Sequence, residues 1–96
     1  LGDSNETVDY IEDIISILKG KAKDKWASIR QIVANNALND FTEVYYELYE
    51  KVSEFAPNNV GEAILAIAEA EYQSVFVPDR EITFMASIYK ILQLIK

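Results

Sequence analysis

The chain has 96 residues, half of them hydrophobic and 26% charged, with a net charge of −7. That length supports one globular core and not two, and the composition is that of a folded domain rather than a disordered one. The absence of Cys and His excludes disulfides, thiol nucleophiles, thiolate metal sites and histidine general bases, and three Gly with two Pro supply too few turns for a β-sandwich or barrel.

Apolar spacing and cap residues predict an all-α fold, a compact bundle of about five helices in a single domain over residues 1–96. The first helix runs from about Asn5 to Lys19, with Val8, Ile11, Ile15 and Leu18 in its stripe and Ile14 widening it. Ser4 is its expected cap, and Gly20 its expected left-handed stop. The second runs from about Asp24 to Asn35 and places Trp26, Ile29, Ile32 and Val33 together, with Asn36 at its close. The third opens with Asp40 and Glu43 as a capping box, buries Phe41, Val44, Tyr45, Leu48 and Val52, and ends before Pro57. The fourth opens with Asn59 and Glu62 as a second cap-and-acid pair and reaches about Val75. Pro78 ends it, because the residue before proline avoids the helical region. The segment Val75-Phe76-Val77 has strand character but no second strand to pair with, so it reads as helix end and loop. The fifth helix starts near Asp79 and continues through Ile82, Met85, Tyr89, Leu92 and Ile95.

The last two helices carry more apolar surface than one buried stripe requires. Apolar residues of the fifth cover about 220° of the helical wheel, against ~100° for a typical surface helix. On the fourth, Ile64, Ile67 and Val75 form one face, while Leu65, Tyr72 and Phe76 form another. Either these helices are central in the bundle or a second chain covers them.

The charge is uneven. Residues 1–20 sum to −4, 21–30 to +3, 31–60 to −4 and 61–96 to −2. An acidic chain repels phosphate backbones. The basic run Lys19, Lys21, Lys23, Lys25 reads as a solvated helix connection, with a phosphate contact or a neighbour's acidic surface as alternatives. The first seven residues are polar and acidic, unlike a signal peptide, and no apolar run approaches the ~20 residues that span a bilayer. The expected location is cytoplasmic.

Little catalytic chemistry remains. Glu69 and Glu71 point to different sides of a helix, and Glu47, Glu50 and Glu54 form a solvated face. Di-metal carboxylate bundles need Glu-x-x-His pairs, which are absent. Glu71 falls within an apolar face and needs a partner, for which Arg80 is the nearest cation. Leu1-Gly2-Asp3-Ser4 is similar to the phosphopantetheine attachment motif of acyl carrier proteins, but Ser4 precedes Asn5 where that motif has an apolar residue. No Gly-x-x-x-x-Gly-Lys loop is present, so no nucleotide-binding enzyme activity is expected of this chain.

The stretch Ala66-Ile67-Ala68-Glu69-Ala70-Glu71-Tyr72-Gln73-Ser74-Val75-Phe76-Val77-Pro78-Asp79-Arg80-Glu81-Ile82-Thr83-Phe84-Met85-Ala86 resembles the C-terminal end of sliding-clamp loader small subunits. It is similar to those of T-even-like phages, relatives of the cellular replication factor C small subunits. The family features fall on Tyr72-Gln73 at the end of an alanine-rich helix, on Pro78-Asp79 in the turn, and on Glu81-Ile82 with Phe84 opening the final helix. The likeness spans Val60–Leu92 well, and over Ile11–Phe55 rests on helix order and length.

The resemblance implies a collar domain, the helical C-terminal part of a longer ATPase subunit, in which neighbouring subunits assemble a ring that supports ATP-dependent clamp loading in viral DNA replication. The partners implied are other clamp-loader subunits, alike or different. The sliding clamp and primer–template DNA are reached only through the full assembly, with no membrane involved, in the host cytoplasm if the subunit is phage-encoded. ATP and Mg belong to the absent modules, so no cofactor is expected in this chain. Tyr72, Phe76, Phe84, Ile88 and Ile91 are the expected interface anchors, and Glu71 with Arg80 the expected ion pair. The alternatives are an acidic helical adaptor that receives a partner helix, and a carrier domain using Ser4.

Overall fold

A computed structural model describes the backbone of residues 2–95 and the side chains of residues 10–95. The fold is all-α, with no strand among the described residues. Six helical segments follow one another: α1 (Gly2–Lys19), α2 (Lys25–Asn35), α3 (Thr42–Glu50), α4 (Val52–Phe55), α5 (Val60–Ser74) and α6 (Arg80–Leu94). The predicted third helix is divided at Lys51, whose φ of −104° and ψ of 12° leave the helical region. Beyond the break, Val52 and Phe55 are buried in the core with Leu48. The Val75–Val77 segment is turn and loop, as expected.

Helices α5 and α6 make the largest helix–helix contact, and α2 joins them on the α6 side while α3 joins on the α5 side. Helix α1 packs on α2, α3 and α4. Their inward stripes merge into one core. Ile14, Leu18, Ile29, Val33, Val44, Leu48, Phe84, Ile88 and Ile91 are all essentially without solvent contact. The ring of Phe84 stacks on Phe41 (centroids 4.7 Å apart) and meets Tyr45 edge-on at 5.6 Å. This cluster pins the start of α3 to the first turns of α6.

The helix ends differ from the expected caps. Gly20 does not take a left-handed conformation. A Cβ there would lie 3.3 Å from the Ser16 carbonyl oxygen, so the glycine permits a close approach to the last turn of α1. The left-handed residue is Ala37 (φ 49°). Its N–H donates to the Ala34 carbonyl and the Leu38 N–H to the Val33 carbonyl, which is the Schellman pattern. Asn36 closes α2 as expected, and its side-chain amide also donates to the Ile32 carbonyl. Asp40 stands one residue before the cap position, which Phe41 occupies. Its carboxylate accepts from the Thr42 N–H (3.1 Å) and hydroxyl (2.8 Å) in a local turn. Asn59 holds the cap position of α5 but does not cap it. Its amide donates to the Leu94 carbonyl at 2.7 Å, tying the start of α5 to the end of α6. Asp79, at the expected start of the last helix, caps α6 by accepting from the Glu81 N–H. Ser4 lies on helical backbone, and its side chain is outside the described residues.

Candidate interaction surface

With the core filled, an apolar population remains outside it. Leu65 and Tyr72 on α5 and Ile82 and Tyr89 on α6 stand 69%, 69%, 68% and 57% exposed. Val75 and Phe76, just past α5, are as open. The positions follow from spacing: Leu65 and Tyr72 are seven residues apart on one stripe of α5, and Phe76 follows four residues on in the turn. Tyr72 and Phe76 pack edge-to-face at 5.1 Å, which holds two large rings against each other in water. Trp26 extends the surface onto α2. It is 38% exposed, and its indole N–H donates to the Met85 carbonyl at 3.0 Å, which fixes the ring beside α6.

Two grooves run along α6. One of about 670 Å³ lies between α5 and α6 and is lined by Leu65, Tyr72, Tyr89 and Leu94. Another of about 680 Å³ lies between α2 and α6 and is lined by Trp26, Ile82, Met85 and Tyr89. Tyr89 borders both, so the apolar surface is continuous across the helix. The Lys90 ammonium and the Glu69 carboxylate form a 2.6 Å pair on its rim.

The structure divides the five expected anchors. Tyr72 and Phe76 are exposed. Phe84, Ile88 and Ile91 are fully buried inside the chain, so no apolar surface of theirs is left for a second molecule, and that expectation is corrected. The wheel of α6 spans both the core and the outer surface, and apolar character alone does not divide it. Ile82 and Tyr89 are the large apolar residues of α6 that face out.

Glu71 and Arg80 line one polar cleft of about 430 Å³, together with Asp40, Thr42, Tyr45 and Ser74. They do not form an ion pair among the three that the described residues contain. The Arg80 Nε–H instead makes a long 3.4 Å contact to the Ser74 carbonyl. Glu71 is exposed, so it requires no cation. The two Thr42 donors, with Arg80 nearby, hold the Asp40 carboxyl below its usual range. The Tyr45 hydroxyl is buried without a hydrogen-bond partner. Burial, and then the Glu71 charge, push its ionisation well above the usual phenol range.

The basic run is partly tied back to the chain. Lys19 pairs with Glu54 at 3.1 Å, and the Lys25 ammonium donates to the Leu18 carbonyl at the end of α1, where a cation complements the helix dipole. Lys21 and Lys23 are exposed. No group of three or more His, Cys, Asp or Glu placed to hold a metal occurs among the described residues. No helix there is long and apolar enough to cross a membrane. Comparison of the chain with models of known families, with curated proteins and with solved structures finds no match.

Proposed function

We propose that this chain is a helical association module, a collar-type domain that packs against neighbouring subunits of a clamp-loader-like assembly. The observation that carries the association reading is the open apolar surface formed by Leu65, Tyr72, Phe76, Ile82 and Tyr89. With Trp26 it amounts to roughly 550–900 Å² of exposed side chain, taking ~150–250 Å² for each whole large side chain. That is at or above the largest patch of an ordinary monomer, ~300–600 Å², and close to the ~800 Å² that each partner gives a standard interface. At about 25 cal/mol per Å² its burial yields on the order of 15 kcal/mol on one side of the contact before association costs. Those costs reach similar size, so the contact alone is modest, as suits one joint among several in a ring.

The clamp-loader assignment rests on the likeness over Val60–Leu92. In this reading ATP chemistry and DNA contact belong to other parts of the assembly, and the chain supplies cohesion. The grooves beside α6 favour a second reading, an adaptor that receives a partner's amphipathic helix.

Sedimentation velocity over rising concentration tests association. Reversible self-association that Tyr72→Asp and Tyr89→Asp weaken at least tenfold supports it. A chain that remains monomeric to about 1 mM, weaker than ~4 kcal/mol of binding, overturns it. The coding sequence upstream of Leu1 tests the collar assignment separately. It should contain a phosphate-cradling Gly-Lys loop, and a gene that starts near Leu1 overturns that assignment.

A further inference from the structure

The polar cleft between the start of α3, the end of α5 and the start of α6 holds groups that the chain leaves unmatched. Tyr45 lines it and is only 3% exposed, and its hydroxyl has no hydrogen-bond partner. A buried polar group in that state is rare and points to a partner outside the chain. The Glu71 charge acts on this hydroxyl, which puts the polar end of the ring on the Glu71 side of the cleft, while the ring itself meets Phe84 in the core. The neighbouring hydroxyls have already spent their hydrogens. Ser74 donates to the Glu71 carbonyl and Thr42 to the Asp40 carboxylate, each at 2.8 Å, so both oxygens face further partners as acceptors. Both Thr42 contacts end on Oδ1 of Asp40, and Oδ2 accepts nothing among the described residues. Arg80 is the one cation lining the cleft, and beyond its long Nε contact its guanidinium has no partner among the described residues.

We propose that this cleft binds a small zwitterion of the α-amino acid class, with the ammonium group on Glu71, the carboxylate on Arg80, and the Tyr45 hydroxyl taking from the same ligand the hydrogen bond it lacks. The inference is independent of the association reading above. Glu71 and Arg80 bear opposite charges in one cleft and do not pair with each other, an arrangement complementary to a ligand that carries both charges. The balance of charge ranks the two ends. Two carboxylates, Asp40 and Glu71, against one guanidinium leave a negative excess in the cleft, and Asp79 and Glu81 line the adjoining groove with Arg80. A plain anion is therefore repelled and an ammonium group attracted. The acceptors on Thr42, Ser74 and Asp40 suit the three N–H donors of an ammonium group as well. The volume of about 430 Å³ lies at the small end of ligand pockets, ~300–1,000 Å³, and Phe41 and Val75 supply its apolar wall.

The test is an amide NMR titration of the full chain with the common protein amino acids, one at a time, and with methylamine and sodium acetate as single-charge probes. At least one amino acid should saturate with a Kd at or below about 1 mM, and the shifts should centre on Thr42, Ser74, Val75 and Arg80. Methylamine should bind roughly tenfold more weakly, and acetate should not saturate at all. Tyr45→Phe and Glu71→Gln should each lower the amino acid affinity about tenfold, the loss expected for a hydrogen bond to a charged group. Arg80→Gln should lower it similarly while leaving methylamine binding unchanged, a split that a merely structural effect would not produce. An unchanged amide spectrum outside the cleft shows that each variant is folded. Absence of saturable binding by every amino acid up to about 10 mM overturns the inference. So do shifts centred elsewhere, or an affinity that neither Glu71→Gln nor Arg80→Gln alters. Methylamine binding as tight as any amino acid assigns the cleft to a simple amine, acetate binding assigns it to an anion, and either overturns the zwitterion.

Discussion

The ring of Phe84 lies 4.7 Å from that of Phe41 at an interplanar angle of 18°, so the aromatic that opens α6 closes the chain's own core. Tyr72 and Phe76, one loop earlier, make their ring contact in solvent. Two aromatic pairs on adjacent helices thus have opposite roles. Phe84→Ala should cost about 3–5 kcal/mol of stability, the range for a buried aromatic. Tyr72→Ala should cost less than about 1 kcal/mol while weakening self-association. Urea titration beside sedimentation separates the two effects. Equal losses of stability would contradict the division.

Ala37 occupies the left-handed position of the cap that closes α2. An L-residue there is strained by ~1–2 kcal/mol, and glycine removes that strain while adding freedom to the unfolded chain. Ala37→Gly should therefore raise stability, by about 0.5–1 kcal/mol, in thermal or denaturant unfolding. The prediction fails if stability falls.

Tyr45→Phe should leave stability unchanged or raise it by about 1 kcal/mol, because the hydroxyl is buried without a partner and its removal relieves that cost. The pH dependence has a definite sign. The folded-state ionisation of Tyr45 is raised above that of the unfolded chain, near pH 10. Above pH 10 the unfolded state therefore holds fewer protons than the folded one, and stability falls as pH rises, by up to about 1.4 kcal/mol per unit for one group. Below pH 10 this contribution is fully present. Tyr10, raised by burial and by Glu43 and Asp40, adds in the same direction. Tyr45→Phe should flatten the alkaline limb between pH 10 and 11, and an unchanged slope would argue against it.

Asn59→Ser distinguishes a helix cap from a tertiary tie. Serine caps about as well as asparagine, but its hydroxyl is too short to replace the amide that reaches the Leu94 carbonyl. The substitution should cost about 0.5–1.5 kcal/mol and loosen the end of α6, seen as faster amide exchange near Gln93 and Leu94. No cost would favour the capping role.

Glu71→Gln should change stability by less than about 0.5 kcal/mol, since Glu71 is exposed and forms no ion pair with Arg80 among the described residues. A loss above 2 kcal/mol would restore the pairing that the sequence suggested.

Helix order and inward stripes were legible in the sequence because they depend on short spacings. Ile11, Ile14, Ile15 and Leu18, then Ile29 and Val33, then Val44, Tyr45 and Leu48 are buried where three-and-four periodicity put them. Leu65, Tyr72 and Phe76 were also recognisable as a face apart from Ile67. The caps were less legible. Asp40, Asn59 and Gly20 all occur next to helix ends, but what each side chain or backbone touches depends on elements far away in the chain. The break at Lys51 had no signal in a continuous amphipathic pattern.

The sequence by itself determined that this protein is helical, acidic, without cysteine or histidine, and richer in apolar residues along its last two helices than one stripe requires. Only the tertiary structure decided which of those residues are inside. Phe84, Ile88 and Ile91 are enclosed where α5 and α2 pack on α6 and the Phe41 and Tyr45 rings meet Phe84, whereas Tyr72, Phe76, Ile82 and Tyr89 stay open. Apolar character is a property of a residue and can be read in one dimension. Burial is a property of what arrives opposite it, and that is fixed only when all six helices are in place.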